Sequence, residues 1–236
     1  MQGLGAVRGC REQAAPPAGD LFEKLSQATL TELRSMMHVV SYPAGSVLFS
    51  EKDMPELVYV VLEGEVKLSI NSSEGKRLIL RIAKKGEIVG IASALSGNSY
   101  DMTAETQYAS KLAPIGRRDF LNFLLRHPDA YQTLTEELSR QYTMACDQLR
   151  SVVLSTSAPE KLARLLLDWS ENGQRTEFGM RFRFSLTHGE IGEFIGASRE
   201  TVTRTLSIFR SRRLISFHGS TLTIPNRTAL ERYARP

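Results

Sequence analysis

Cysteine is nearly absent. Cys10 and Cys146 are the only two among 236 residues, too few for a disulfide framework or for a four-cysteine iron–sulfur cluster. No stretch approaches the roughly 18 apolar residues that a membrane span needs. Met1 to Cys10 lacks the apolar run of a signal peptide, so a cytoplasmic protein without a membrane partner is expected. The four histidines, His38, His127, His188 and His218, are scattered along the chain. Neither a metal-ligand spacing nor a Ser-His-Asp arrangement stands out, and no enzyme is expected. No repeat at solenoid spacing is present. One absence is local: no Arg or Lys lies from Ile91 to Ser110.

What is present is concentrated near the end, from Ser185 to Ile224. Two short helical patterns, Thr187–Ile195 and Ser198–Phe209, are separated by Gly196 and Ala197, the tight turn that a helix-turn-helix requires. Thr187 followed by Glu190 has the spacing of a capping box, and Ser198 can cap the second helix. Val202, Leu206 and Phe209 form one apolar stripe, which leaves Arg199, Glu200, Thr203 and Arg204 pointing away from it. These four are the candidate base readers, near the N-terminal end of the helix where such residues belong. Two β-prone runs, Leu214–Phe217 and Thr221–Ile224, flank His218-Gly219-Ser220 and read as a hairpin, the wing of a winged helix. Thr187, Ser198, Thr201, Arg212, His218 and Ser220 are the candidate phosphate-positioning residues. Net charge is +4, which permits a polyanionic partner without proving one. Five arginines between Arg199 and Arg213 place that charge over the helix pair.

From the start of the chain, residues 1–20 are rich in Gly, Ala and Pro and are expected to be a flexible tail. Leu21 to Met37 suggests two short helices, the second opened by Thr29 or Thr31. Short β-prone runs separated by Gly and Pro turns follow: Val39–Tyr42, Val47–Phe49, Leu57–Leu62, Val66–Ile70, Leu78–Ile82 and Gly86–Gly90. They suggest a small barrel or sandwich, placed in a sensor domain over 21–117. Over 118–156 a short helix stops near Pro128 and a long one runs from about Asp129 to Ser155. Its stripe through Leu134, Leu138, Ala145, Leu149 and Val152 predicts a two-chain coiled coil, hence a homodimer. Residues 157–236 make the DNA-binding domain, entered by a helix capped at Ser157 and followed by a turn at Asn172-Gly173.

The run from Ser198 to Arg204, SRETVTR, followed by Leu214-Ile215-Ser216, resembles the recognition helix and wing of the Crp/Fnr family of bacterial transcription regulators, most closely its catabolite-activator branch. Gly45, Gly64, Glu74-Gly75 and Gly86-Glu87-Ile88-Val89-Gly90 are similar to the turns of that family's β-roll, and GEIVGIASALSG (Gly86 to Gly97) looks more like the Fnr branch. The resemblance covers roughly Leu21 to Pro225. It implies an α+β protein: an N-terminal jelly-roll of the double-stranded β-helix, cyclic-nucleotide-binding-like type, a long dimerisation helix and a C-terminal winged helix-turn-helix. It further implies double-stranded DNA, a second copy of the chain and RNA polymerase as partners, and TGTGA-like half-sites in an inverted repeat. Its effector pocket would fall on Gly86, Glu87, Ile88, Val89, Gly90, Ile91, Asn98, Ser99, Tyr100 and Asp101. Members that bind cyclic AMP carry an acid where Ile91 stands and an Arg-Ser pair within the span of Asn98 to Met102. A buried phosphodiester needs a cation or a dense donor set. With neither that set nor four cysteines, no cofactor is expected. The alternative is a regulator that senses a cyclic nucleotide or another small ligand through a non-standard pocket in the roll.

Overall fold

The computed structural model describes residues 20–154, 157–171 and 173–234. The expected tail up to residue 19, the expected helix end at Ser155 and Asn172 of the expected turn lie outside the described residues. The chain divides between Met144 and Ala145 into two compact units.

The first unit opens with α1 (Asp20–Glu23) and α2 (Gln27–Met36). The cap of α2 is Ser26, whose hydroxyl accepts from Thr29 N–H at 3.2 Å, so neither Thr29 nor Thr31 starts the helix. Strands β1 (Val40–Tyr42), β2 (Val47–Phe49), β3 (Leu57–Glu63), β4 (Val66–Asn71), β5 (Arg77–Ala83) and β6 (Ile88–Val89) follow. Next come α3 (Ile91–Ser96), β7 (Thr103–Thr106), β8 (Ser110–Gly116) and α4 (Arg117–Arg126). The long α5 (Pro128–Leu154) runs on past the division.

Two antiparallel four-stranded sheets, ordered β1-β8-β3-β6 and β2-β7-β4-β5, make the jelly-roll. The first sheet is buried on both faces. Val58, Val60, Ala113 and Ile115 pack on the helices through Leu33, Phe120, Phe123 and Leu134. Tyr59, Val61 and Leu112 face the roll interior with Val66, Leu68 and Ala104 of the second sheet. Double burial explains why Leu57–Leu62 is a continuous apolar run and not an alternating one. Strand β8 escaped the sequence reading because it contains Pro114, a residue that argues against an inner strand. Pro114 opposes Tyr59 of β3 and lies beyond the three residues, Ser110 to Leu112, that pair with β1.

The second unit comprises α6 (Ala158–Ser170), β9 (Gln174–Thr176), β10 (Gly179–Arg183), α7 (His188–Ile195), α8 (Arg199–Ser211), β11 (Ser216–His218), β12 (Thr221–Ile224) and α9 (Arg227–Ala234). Helix α6 is capped by Ser157, as its sequence predicts, and packs against α7, α8, α9 and β10. The wing hairpin extends into a four-stranded sheet ordered β11-β12-β10-β9. Phe184 sits edge-on to Trp169 at 5.0 Å and near Phe217 at 6.5 Å, tying sheet to helix.

Helix α8 ends in a Schellman arrangement: Leu214 N–H donates to Phe209 C=O and Arg213 N–H to Arg210 C=O, each at 2.9 Å. The left-handed residue in such an ending is usually Gly; here it is Arg213, at φ +56°. A side chain in that region costs about 1 kcal/mol. Arg213→Gly should therefore raise the unfolding free energy by about 0.5–1 kcal/mol, read as a higher urea midpoint. An unchanged or lower midpoint would show that the arginine makes compensating contacts.

Candidate nucleic-acid interface

The geometry of the helix pair is set by its turn. Thr187 and Glu190 form a complete capping box: Glu190 N–H donates to Thr187 Oγ1 at 3.2 Å, and Thr187 N–H donates to Glu190 Oε2 at 2.9 Å. Helix α7 closes on Gly196 at φ +63°, a conformation glycine adopts without penalty. Within α7, a Cβ on Gly192 would stand 2.5 Å from Ala197 C=O, so only glycine lets the turn pass this closely. Ser198 then caps α8 by accepting from Thr201 N–H at 3.2 Å.

These constraints aim α8. Val202 and Phe209 are fully buried and Leu206 nearly so. Arg199, Glu200, Thr203 and Arg204 are all exposed, with Glu200, Thr203 and Arg204 on the side away from that stripe and Arg199 at its N-terminal end. Ser207 shares their exposed face and was not singled out in the sequence, because a serine in mid-helix carries no signal by itself. The Glu200 backbone N–H and the Ser198 hydroxyl hold the Glu200 carboxyl below the usual carboxylate range, so at neutral pH it is a pure acceptor.

The positioning residues are less uniform. Thr187, Ser198, His218 and Ser220 lie exposed around α8 and the wing, with Thr201 half-buried. Arg212 is occupied: its guanidinium bonds the Tyr233 hydroxyl and lies 5.8 Å from the Tyr233 ring. It ties α8 to α9, a role the sequence reading did not assign to it. Arg210 covers the Phe217 ring at 4.8 Å. The sheet contributes residues that the sequence reading missed. In register, Arg183 stands beside Thr221, and Thr221 beside His218, so two exposed cationic or polar side chains flank a threonine across three strands. The signal was there: buried Phe182 and Phe184 alternate with exposed Arg181 and Arg183.

The ten candidate pocket residues do not converge. Ile88 and Ile91 turn into the helix-side core, whereas Val89 and Tyr100 turn into the roll. Glu87 is paired with Arg81, in a bond whose partners are both mostly buried. Gly86 and Gly90 are turn residues with positive φ, Ser99 C=O accepts from Ser93 at 3.3 Å, and Asn98 and Asp101 are exposed. The roll interior is aromatic. Tyr100 stacks on Phe49 with centroids 3.8 Å apart and planes at 11°, and its hydroxyl donates to Leu57 C=O at 2.5 Å. Tyr59 donates to Leu48 C=O at 3.1 Å, and burial pushes its phenol far up from its ordinary value. Among the described residues, no group of three His, Cys, Asp or Glu side chains is placed to hold a metal, and no helix is long and apolar enough to cross a membrane.

Residues 160–233 match the Crp-like helix-turn-helix domain, and residues 39–127 match the cyclic nucleotide-binding domain. The chain belongs to the Crp/Fnr family of bacterial transcription regulators. It is 25% identical over 197 residues to the cAMP-activated global transcriptional regulator CRP of Salmonella typhimurium, covering 83% of this chain and 93% of that protein. To the CRP-like cAMP-activated global transcriptional regulator of Mycobacterium tuberculosis it is 24% identical over 216 residues, 91% of this chain and 96% of the other. Its fold is similar to that of FixK2 from Bradyrhizobium japonicum, with a TM-score of 0.75 at 21% identity, over 85% of this chain and 98% of that one. As a Crp/Fnr protein it is a DNA-binding transcription regulator.

Proposed function

We propose that this regulator binds an inverted repeat as a homodimer through α8, reading TGTGA-like half-sites, and that it does so without cyclic AMP. The observation that carries the reading is the exposed set Arg199, Glu200, Thr203 and Arg204 in the first turns of a helix whose apolar stripe is buried. Arginine pairs bidentately with guanine O6 and N7, and glutamate accepts from cytosine N4. The Arg-Glu and Arg spacing shared with the catabolite-activator branch supports TGTGA over the TTGAT of the Fnr branch. Two-fold pairing sets the half-site centres about one helical turn, roughly 34 Å, apart. Arg183, His218 and Ser220 are assigned to phosphates. At its promoters such a regulator would meet RNA polymerase.

The dimer seam is α5, with one change from the sequence expectation. Leu134 is 4% exposed and belongs to the helix-side core of its own unit, and Leu138 packs partly on that core. The stripe left exposed or half-buried runs through Tyr131, Leu138, Tyr142, Ala145, Leu149 and Val152. From Leu138 on it keeps alternating steps of four and three, a coiled-coil seam. Tyr142 is 72% and Leu149 60% exposed in the single chain, which supports a second copy covering them. A cyclic nucleotide is disfavoured because Tyr100 and Phe49 stack inside the roll and the run from Ile91 to Ser110 supplies no cation. The nearby Arg81 is already neutralised by Glu87.

Three measurements test these statements. Arg199→Ala should cost about 1–3 kcal/mol of affinity and relax preference at one symmetric pair of bases. Arg183→Ala should weaken all duplexes alike and lower the slope of log affinity against log salt by about one; identical behaviour of the two variants would remove Arg199 from base reading. Sedimentation equilibrium at micromolar protein should show a dimer that Tyr142→Asp with Leu149→Asp splits into folded monomers, and a monomeric wild type would refute the seam. Calorimetry with cyclic AMP should show no saturable heat, whereas a micromolar constant would establish a non-standard pocket in the roll.

A further inference from the structure

His188 is the first residue of α7, fixed there by the capping box that Thr187 and Glu190 form. It is exposed and lies outside the base-reading set, yet its ring reaches across to α8. His188 Nδ1 stands 2.8 Å from Thr203 Oγ1. The same oxygen stands 2.9 Å from Arg199 C=O, to which it donates. A threonine hydroxyl has one proton and two lone pairs. With its proton on the Arg199 carbonyl, it accepts from the imidazole N–H; with the proton turned to the imidazole, the carbonyl loses it. In the first arrangement the hydroxyl is engaged with the protein on two sides, donating to Arg199 C=O and accepting from His188, and χ1 of Thr203 is held in one rotamer. Its proton is then committed to the protein, and beyond one remaining lone pair what the side chain turns to a base is its methyl group.

We infer that His188 is a positioning residue for sequence reading: it occupies the Thr203 hydroxyl, so that α8 presents a methyl at that point and selects the 5-methyl group of a thymine. The inference rests on α8 being the base-reading helix and adds what that helix reads between Arg199 and Arg204. Apolar contact with the thymine methyl is an established form of base discrimination, whereas a free hydroxyl accepts several bases and would blur the preference. Removing one methyl contact is worth roughly a four-fold change in affinity.

The test uses the full-length protein and the inverted repeat that it enriches from random duplexes. Each thymine is replaced symmetrically by deoxyuridine, which deletes only the methyl. Anisotropy titrations should find one thymine per half-site whose replacement weakens wild-type binding about four-fold. That ratio should survive in Thr203→Val, which keeps the methyl and lacks the hydroxyl. In Thr203→Ser, which does the reverse, it should fall to near one. His188→Ala should also lower the ratio, and His188→Asn, which restores an N–H donor, should recover it. Three results would overturn the inference: no thymine sensitivity in the wild type, sensitivity that persists in Thr203→Ser, or a His188→Ala variant that weakens thymine and deoxyuridine duplexes equally. The last would mean that His188 acts only on the backbone. Failure to enrich any inverted repeat is a different outcome, because it would defeat the assignment of α8 itself.

Discussion

Val202, Leu206 and Phe209 are buried in the C-terminal unit, and their burial fixes the rotation of α8 about its own axis. A helix that could roll by one residue, about 100°, would present a different set of side chains to a groove. Burying three large apolar groups at roughly 1.5–3 kcal/mol each makes that rotation costly. The remaining degree of freedom, the approach of α7 to α8, is removed where Gly192 lets Ala197 C=O come in and where Ser198 caps the helix. The face that α8 exposes is therefore a consequence of core packing, with the exposed side chains as passengers. The His188–Thr203 contact extends the same logic to a single hydroxyl group.

The roll obeys a different constraint. Its first sheet is covered on both faces, by helices on one side and by the second sheet on the other, so whatever enters its interior must be apolar or fully hydrogen-bonded. The chain meets that demand with aromatic rings whose hydroxyls bond backbone carbonyls: Tyr100 to Leu57 and Tyr59 to Leu48. A phosphate in the same place would require charge that the segment from Ile91 to Ser110 lacks. The architecture of a cyclic nucleotide-binding domain is kept, and its roll packs Phe49, Tyr59 and Tyr100 in its interior.

Much of the C-terminal unit was legible in the sequence because its signals are local. The capping box at Thr187, the αL glycine at Gly196 and the cap at Ser198 each depend on residues within four positions of one another, and the structure shows all three. The roll was legible in class but incomplete in detail. β7 is short and polar, and β8 carries Pro114, so neither shows the apolar alternation that marks β4. Along α5 the periodicity marks a long helix, yet it does not say which stripe faces the helix's own unit. Ala130 and Leu134 turn inward, and Tyr131 and Tyr142 outward; both stripes have helical spacing, and only tertiary packing tells them apart. The engagement of Arg212 by Tyr233 and the row of Arg183, Thr221 and His218 arise from pairings between distant segments, which composition and spacing do not encode.

The central claim is that the exposed face of α8 reads a defined sequence, and selection of the full-length protein against a pool of random duplexes tests it most directly. Without any cyclic nucleotide in the buffer, the pool should converge on an inverted repeat of TGTGA-like half-sites whose centres are about one helical turn apart. Convergence on TTGAT, or retention of bound duplexes with no palindrome at all, would contradict it.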